Sequence, residues 1–345
     1  MTAQPRHSRR GLVVPFVIAG VLLAAWTGWW FYLTSQIETR LDGQVAALRE
    51  DGWRITYASR TTTGWPFRAR VSFPHAEIMA PSGHGIAAPE LIAEANAYNP
   101  DRWVVIAPDG LTLTRADKGK VGIAGDGLRL SASHLRERFP DLRVELIRPT
   151  FTAHQDAEPF PIASADRILL NVRPHLTEGR AATDEMDVAF NLIDARGRPG
   201  GPVEGATRQG RLTARVEGTI VNASKLSGMD SAGVFAAWTA SGGRFSAIKG
   251  ELEAGDSRAR IDSTGLSADA DGRLQGEVAL TAEKPGAAIA GLARSQSGAV
   301  NRLGAAGAAA ATAVSGDRGV DLVIRFRDGR TWLGPFALAP APKLF

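Results

Sequence analysis

The chain has 345 residues, 44% hydrophobic and 22% charged, with 38 Gly, 19 Pro and no Cys. That composition excludes a disordered chain, a disulfide scaffold, and any cysteine-ligated metal or cysteine nucleophile. The formal charge is +4 from 40 basic and 36 acidic residues, but Arg6, Arg9 and Arg10 precede any acid; without those three the balance is 37 against 36, which is no footprint for nucleic acid.

Residues 12–33 carry no charge. At 1.5 Å per residue such a helix spans roughly 33 Å, enough to cross a hydrocarbon core of about 30 Å. Pro15 falls in its first turn, where a missing N–H does little harm. Trp26, Trp29, Trp30, Phe31 and Tyr32 crowd the far end and read as an interfacial aromatic belt. The arginines come first, so residues 1–11 are expected to form a cytoplasmic basic tail, with everything after the span on the opposite side of a bacterial inner membrane. The run is longer than the apolar segment of a cleaved signal peptide, and no small-x-small site precedes a polar start, so an uncleaved single-pass anchor is expected. Gly20, Ala24 and Gly28 lie four apart on one helix face. Such a stripe permits close helix approach, but small residues are common in membrane helices and specify no dimer alone.

Residues 34–50 continue as a helical stalk. Ile37, Leu41, Val45 and Leu48 make its apolar stripe, and Asp51-Gly52 supplies the stop. From Trp53 the pattern changes to short alternating runs. Those at 54–57, 67–73, 103–107, 111–114 and 121–131 are followed by 143–147, 168–172, 187–193, 211–221, 244–252, 259–261, 273–281 and 320–326. Turn signals separate them, among them Pro108-Asp109-Gly110, Gly125-Asp126-Gly127, Pro199-Gly200-Gly201, Asp271-Gly272 and Asp328-Gly329. Runs of this length with hairpin turns, and without helices between them, predict antiparallel pairing. Helical insertions are expected at 131–138, 231–240 and 285–313, the last lying across a sheet or covering its open edge. The fold class that follows is mainly β: a transmembrane helix at 12–33, a stalk at 34–50, then one large curved antiparallel sheet domain over 51–345 on the periplasmic side. Residues 86–92 and 162–168 are similar at an offset of 76, which suggests repeat units at 68–140 and 141–222.

No reactive constellation stands out. The histidines are His7, His75, His84, His134, His154 and His175, and none has the spacing of a helix-borne zinc pair. His75 and His84 could converge across a hairpin beside Glu77, but a Gly/Pro-rich loop makes them ordinary turn residues. Ser246-Ala247-Ile248-Lys249 spells the Ser-x-x-Lys of penicillin-binding enzymes, yet on a strand the two side chains are expected on opposite faces. The acidic residues near turns lack the loop density of a calcium site. The expectation is therefore no catalytic, cofactor-binding or metal-binding residues, no cofactor, and no enzyme activity.

Two segments carry a resemblance. One is Gly64-Trp65-Pro66-Phe67-Arg68, some thirty residues after the span. The other is the terminal Asp328-Gly329-Arg330-Thr331-Trp332-Leu333-Gly334-Pro335, followed by Pro340. With the membrane helix and stalk, they resemble domain-of-unknown-function family 2125, bacterial single-pass envelope proteins without an assigned activity; the resemblance covers about residues 34–345. Residues 265–280 are more loosely similar to strand-turn-strand units of AsmA-like envelope proteins, which implies a long curved sheet and nothing about a site. The leading expectation is a non-enzymatic envelope scaffold or assembly factor held in the inner membrane through residues 12–33. The alternatives are binding or transfer of lipid along an apolar sheet groove, and a hydrolase whose active site follows no motif. The partner would be a lipid or an envelope protein, not nucleic acid; the sequence leaves the oligomeric state open.

Overall fold

A computed structural model of the chain describes residues 10–344, apart from 209, 227–233, 297 and 314–318. Helix α1 (Arg10–Glu50) is a single unbroken element of 41 residues. It is the one described helix long and apolar enough to cross a membrane. Gly52 closes it in the left-handed region (φ 85°).

The remaining elements follow in order: β1 (Arg54–Thr56), β2 (Thr61–Thr63), β3 (Arg68–Met79), β4 (Gly85–Asn96), β5 (Asn99–Ile106), β6 (Leu111–Arg115), β7 (Gly119–Ala124), β8 (Gly127–Ser133), β9 (Asp141–Ile147), β10 (Thr150–Ala153), β11 (Ile162–Ser164), β12 (Arg167–Thr177) and β13 (Arg180–Gly197). After these come α2 (Pro202–Thr207), β14 (Leu212–Val221), α3 (Val234–Ala240), β15 (Arg244–Ala254), β16 (Ser257–Ala268), β17 (Leu274–Glu283), α4 (Pro285–Ala293), α5 (Arg302–Ala313), β18 (Val320–Arg327), β19 (Arg330–Leu333) and β20 (Phe336–Pro340). The strands form one antiparallel sheet.

The pairing path explains the shape. The 12-residue β4 gives one half to β5, through Ile92 to Asn96, and the other to β6, through Gly85 to Ala87. The 18-residue β13 is shared in the same way: β12 takes most of it, and β11 takes Arg196 and Gly197. One branch runs β4–β5–β8–β9–β12–β13 and the other β4–β6–β7–β10–β11–β13. The two branches close a ring at the end of the sheet remote from α1's tryptophans. Beyond β13 the sheet stays open through β14 to β20.

Period-two alternation sends apolar side chains to the inside of this ring. Ala88, Leu91, Ile123 and Leu128 pack there with Leu111, Leu146 and Phe151. Leu192, Ala195 and Ala165 form a neighbouring cluster with Ile168 and Ala214. At the far edge, α4 and α5 lay Ile289 and Ala308 over Leu322, Ile324 and Leu333, as expected of a helix covering the last strands. The expected single helix at 285–313 is two helices: the chain leaves helical geometry after Ala293 and re-enters at Arg302. The helix expected at 131–138 is absent. Ser131 and Ser133 stay in β8, paired with Arg143 and Asp141, and ladder bonds outweigh a weak local cap. The expected helix at 231–240 is described from Val234 on. Of the similar segments, 86–92 lies within β4, whereas 162–168 spans the break between β11 and β12.

Helix α1 is built into this domain. Its apolar stripe starts earlier than the stalk: Trp30, Leu33 and Ile37 are buried with Ala69, Val71 and Ala97, and Trp26 and Leu41 pack beside them. The indole N–H of Trp30 donates to the carbonyl of Arg68 at 2.7 Å, and that of Trp26 to the carbonyl of Pro66 at 2.8 Å. In return the Trp65 indole donates to Thr27 Oγ1 at 3.3 Å. Gly64 permits this turn: its φ is +103°, and a Cβ there would sit 2.7 Å from the Arg68 carbonyl oxygen. Farther along, Arg60 pairs with Asp42 at 2.6 Å and Thr62 donates to Glu38. The aromatic belt is thus divided. Phe31 and Tyr32 face outward, Trp29 is exposed but reaches the Ala97 carbonyl with its indole, and Trp26 and Trp30 clamp the domain.

This clamp predicts a graded response. Trp30→Phe loses the hydrogen bond and part of the ring and should cost about 1–3 kcal/mol, whereas Trp30→Ala opens a larger cavity and should cost about 3–5 kcal/mol. Denaturant unfolding of the full chain in detergent, followed by circular dichroism of the sheet, measures both. An unchanged midpoint for Trp30→Ala would separate α1 from the folded core.

Candidate functional site

The two faces of the open sheet differ in chemistry. Register alignment gives one continuous row on the inner face: Val105, Leu130, Val144, Leu170, Phe190, Val216, Gly250, Ile261, Leu280 and Leu322, paired strand to strand from β5 to β18. None of the ten is buried. Leu130 is 39% exposed and Phe190 37%, while Leu128 and Leu192, one row toward the closed end, are 2% and 7% exposed. The ring therefore covers the apolar face at one end and leaves it open toward the end where α1's tryptophans sit. Leu322, at the far end, lies under α4 and α5; with inter-strand steps of about 4.8 Å, the row from Val105 to Leu280 follows a contour of roughly 38 Å. This apolar strip, the gutter, is a long half-exposed surface and not an enclosed pocket; the concavity over the same strands lies on the other face.

The next row toward α1's tryptophans is apolar as well. Trp103, Ala132, Leu142, Val172 and Val188 are cross-strand neighbours. Beyond them α3 buries Trp238 against Met186, Ile220 and Phe245, and the Trp238 indole donates to the Val221 carbonyl at 2.8 Å. This helix closes the gutter's flank and leaves Leu130, Leu170 and Phe190 uncovered between the two packed clusters.

The outer face carries the opposite sign of the alternation. It holds a concavity of about 1010 Å³ lined mainly by charged and hydroxyl side chains, among them Arg129, Arg143, Glu145, Asp187 and Lys249. Glu145 is its most buried charge, with a side chain 2% exposed. Arg129 donates through Nε to Oε2 at 2.7 Å, Arg167 Nη2 lies 2.9 Å from Oε1, and Arg143 Nη2 lies 3.7 Å away. Burial pushes this carboxyl up; the Arg129 hydrogen bond and the charges of Arg129, Arg167 and Arg143 outweigh it and hold it below the ordinary carboxylate range. Asp187 accepts from His175 Nδ1 at 2.6 Å and from Thr219 Oγ1 at 3.3 Å. These are cross-strand pairs that tie the outer face together.

The residues weighed from sequence fall as follows. His84 contacts Ser82 in its turn, and His134 lies 2.9 Å from Asp141. Among the described residues no three His, Asp or Glu side chains converge as metal ligands. Ser246 and Lys249 lie on β15, but not on opposite faces. Ala247 forms a bulge (φ 49°), so Ser246 opposes Thr219 and Lys249 opposes Glu217, both on the outer face. Sequence reasoning missed the gutter residues themselves. Their alternation was visible in each strand; their alignment across strands needed the register.

A family profile described as uncharacterised proteins conserved in bacteria, DUF2125, matches residues 30–342. The chain belongs to the DUF2125 family. The matched region begins at Trp30, the residue that clamps α1 to the sheet, and takes in every strand. No curated protein and no solved structure matches the chain.

Glu145 gives a pH-dependent prediction. Its folded-state pKa lies below its unfolded value, so its stabilisation is complete above the ordinary carboxylate range and is lost as pH falls through the folded value. The arginines are about half exposed and water screens them, so Glu145→Gln should cost only about 1–3 kcal/mol at about pH 7. The gap between variant and wild type should shrink by about pH 3 in thermal unfolding. A gap independent of pH would remove the electrostatic account.

Proposed function

We propose that this DUF2125 protein is a non-enzymatic, membrane-anchored holder or carrier of a lipid acyl chain, with the β domain in the bacterial periplasm and α1 as its inner-membrane span. The observation that carries the reading is the apolar row from Val105 to Leu280, none of it buried, with Leu130 and Phe190 exposed. A soluble domain gains by burying such a surface, and exposed contiguous apolar surface marks a ligand or partner site. An apolar strip of this length suits an extended chain better than a compact metabolite. The charged outer face keeps the sheet's other side in water, which leaves the inner face for the ligand.

An envelope scaffold remains compatible with the anchor and the large sheet, but it gives the gutter no role. A hydrolase would need a proton-transferring or nucleophilic group beside the ligand. The described gutter row is made of aliphatic and aromatic side chains and Gly250, and the most buried carboxylate, Glu145, lies on the opposite face among three guanidinium groups.

Photo-crosslinking in cells tests the reading. A benzophenone amino acid in place of Phe190 should capture phospholipid, identified by mass spectrometry of the purified full chain. The same group in place of Lys249, on the outer face, should not. Adding Leu170→Glu puts a carboxylate into the gutter and should reduce the Phe190 adduct at least about tenfold, because an unpaired charge against hydrocarbon costs several kcal/mol. Protein-only adducts at Phe190, with lipid adducts still formed at a control position such as Leu22, would favour the scaffold.

A further inference from the structure

Beyond α1, five of the ten exposed large apolar side chains among the described residues lie at one end of the sheet: Trp65 (50% exposed), Phe67 (65%), Tyr98 (69%), Leu135 (45%) and Leu176 (56%). The strand register places them together. Trp65 and Phe67 flank the turn into β3, and Tyr98 is in the turn between β4 and β5, next to it through Arg68 opposite Asn96. Trp103 opposite Ala132 brings the turn after β8, with Leu135, beside the start of β5. Leu142 opposite Val172 brings the end of β12, with Leu176, beside that same turn, and Arg138 donates to the Thr183 carbonyl to fasten it to β13. The tips thus form one rim, at the end of the sheet where α1's tryptophans sit.

The clamp fixes the height of this rim along α1. Pro66 is level with Trp26, Arg68 with Trp30, and Ala97 with Trp29, whose indole reaches its carbonyl at 3.4 Å. Helix α1 starts at Arg10. From Arg10 to Trp26 is only about 24 Å of helix, short of a hydrocarbon core of about 30 Å, which runs to Trp30. A bilayer thick enough to satisfy α1 therefore reaches the level of the tips. The hairpin ends at 64–68, 97–102, 134–139 and 176–181 hold Arg68, Arg102, Arg136, Arg138 and Arg180 against Asp101, Glu137 and Glu178; Arg68 is paired with Glu94, which leaves an excess of one positive charge. Aromatic rings backed by arginines are the composition of a surface that rests among lipid headgroups.

We propose that this rim is a second membrane contact: Trp65, Phe67, Tyr98, Leu135 and Leu176 sit in the interfacial layer beside α1, and the domain is docked on the bilayer instead of being held off it by a stalk. Residues 34–50 do not act as a spacer, because Ile37 and Leu41 are packed along the sheet. The docked rim sets that end of the sheet against lipid, whether or not the gutter itself holds an acyl chain. The inference rests on α1 as the membrane span and is independent of the ligand reading.

The chain has no native cysteine, so single-cysteine variants of the full protein can be spin-labelled cleanly. Phe67→Cys, Tyr98→Cys and Leu176→Cys are compared in phosphatidylethanolamine/phosphatidylglycerol vesicles with two references, Leu22→Cys within the span and Asp256→Cys in the exposed turn between β15 and β16. Oxygen and nickel-chelate accessibilities should place the three rim labels within about 5–10 Å of the headgroup–acyl boundary, between the deep Leu22 label and the aqueous Asp256 label. Rim labels as aqueous as Asp256, with Leu22 still deep, would overturn the rim contact alone and leave the span intact. An aqueous Leu22 label would overturn the span and the rim contact together.

Discussion

The arrangement depends on two indole hydrogen bonds. Trp26 and Trp30 donate to the carbonyls of Pro66 and Arg68 and close the first hairpin of the sheet onto the helix. The donors are aromatic, so the same contact buries large apolar area against Ala69, Val71 and Ala97. It also fixes the level along α1 at which the sheet sits. A helix joined to a domain by a free linker leaves the domain's orientation undetermined. A helix whose outermost apolar turns belong to the domain's core does not.

The second constraint is the parity of strands. Along β8, β9, β12, β13 and β14 every second residue is apolar, and the register keeps those residues on one face. The short strands β6, β7, β10 and β11 close that face into a ring at one end only. The same alternation thus yields a dry core around Leu128 and an exposed row at Leu130, two residues along one strand. The accessible surface reflects this openness: 20140 Å² for the chain, against roughly 13500 Å² for a compact monomer of this mass. An open apolar face and a free apolar helix are costly in water and natural next to lipid.

Much of this was legible in the sequence. The uncharged run at 12–33, the turn signals and the alternating runs gave the helix and the antiparallel class, because each is a local pattern. Gly64-Trp65-Pro66-Phe67-Arg68 carried the family. Less legible were features that depend on pairing over long separations. Trp26 and Trp30 look the same as Trp29 in a linear reading, yet only the first two pack into the core cluster, since the 3.6-residue repeat puts them on the face that also carries Leu33 and Ile37. The bulge at Ala247, which brings Ser246 and Lys249 to one face, has no sequence mark, because alanine is not a residue of choice at φ 49°. The division of β4 and β13 between two branches, which creates the gutter, follows from strand length and register together. The break between Ala293 and Arg302 did carry marks: Ser295 and Gly298 are turn residues, and Asn301 caps the next helix by accepting from the Gly304 N–H.

The central claim is that the inner face from Leu130 to Phe190 is occupied by lipid. Native mass spectrometry of the full chain released from detergent addresses it most directly, with Phe190→Glu as the comparison. The account predicts a discrete lipid mass on the wild-type chain that survives collisional activation and is lost in the variant. Identical spectra for the two chains, or a bare wild-type mass, would contradict it.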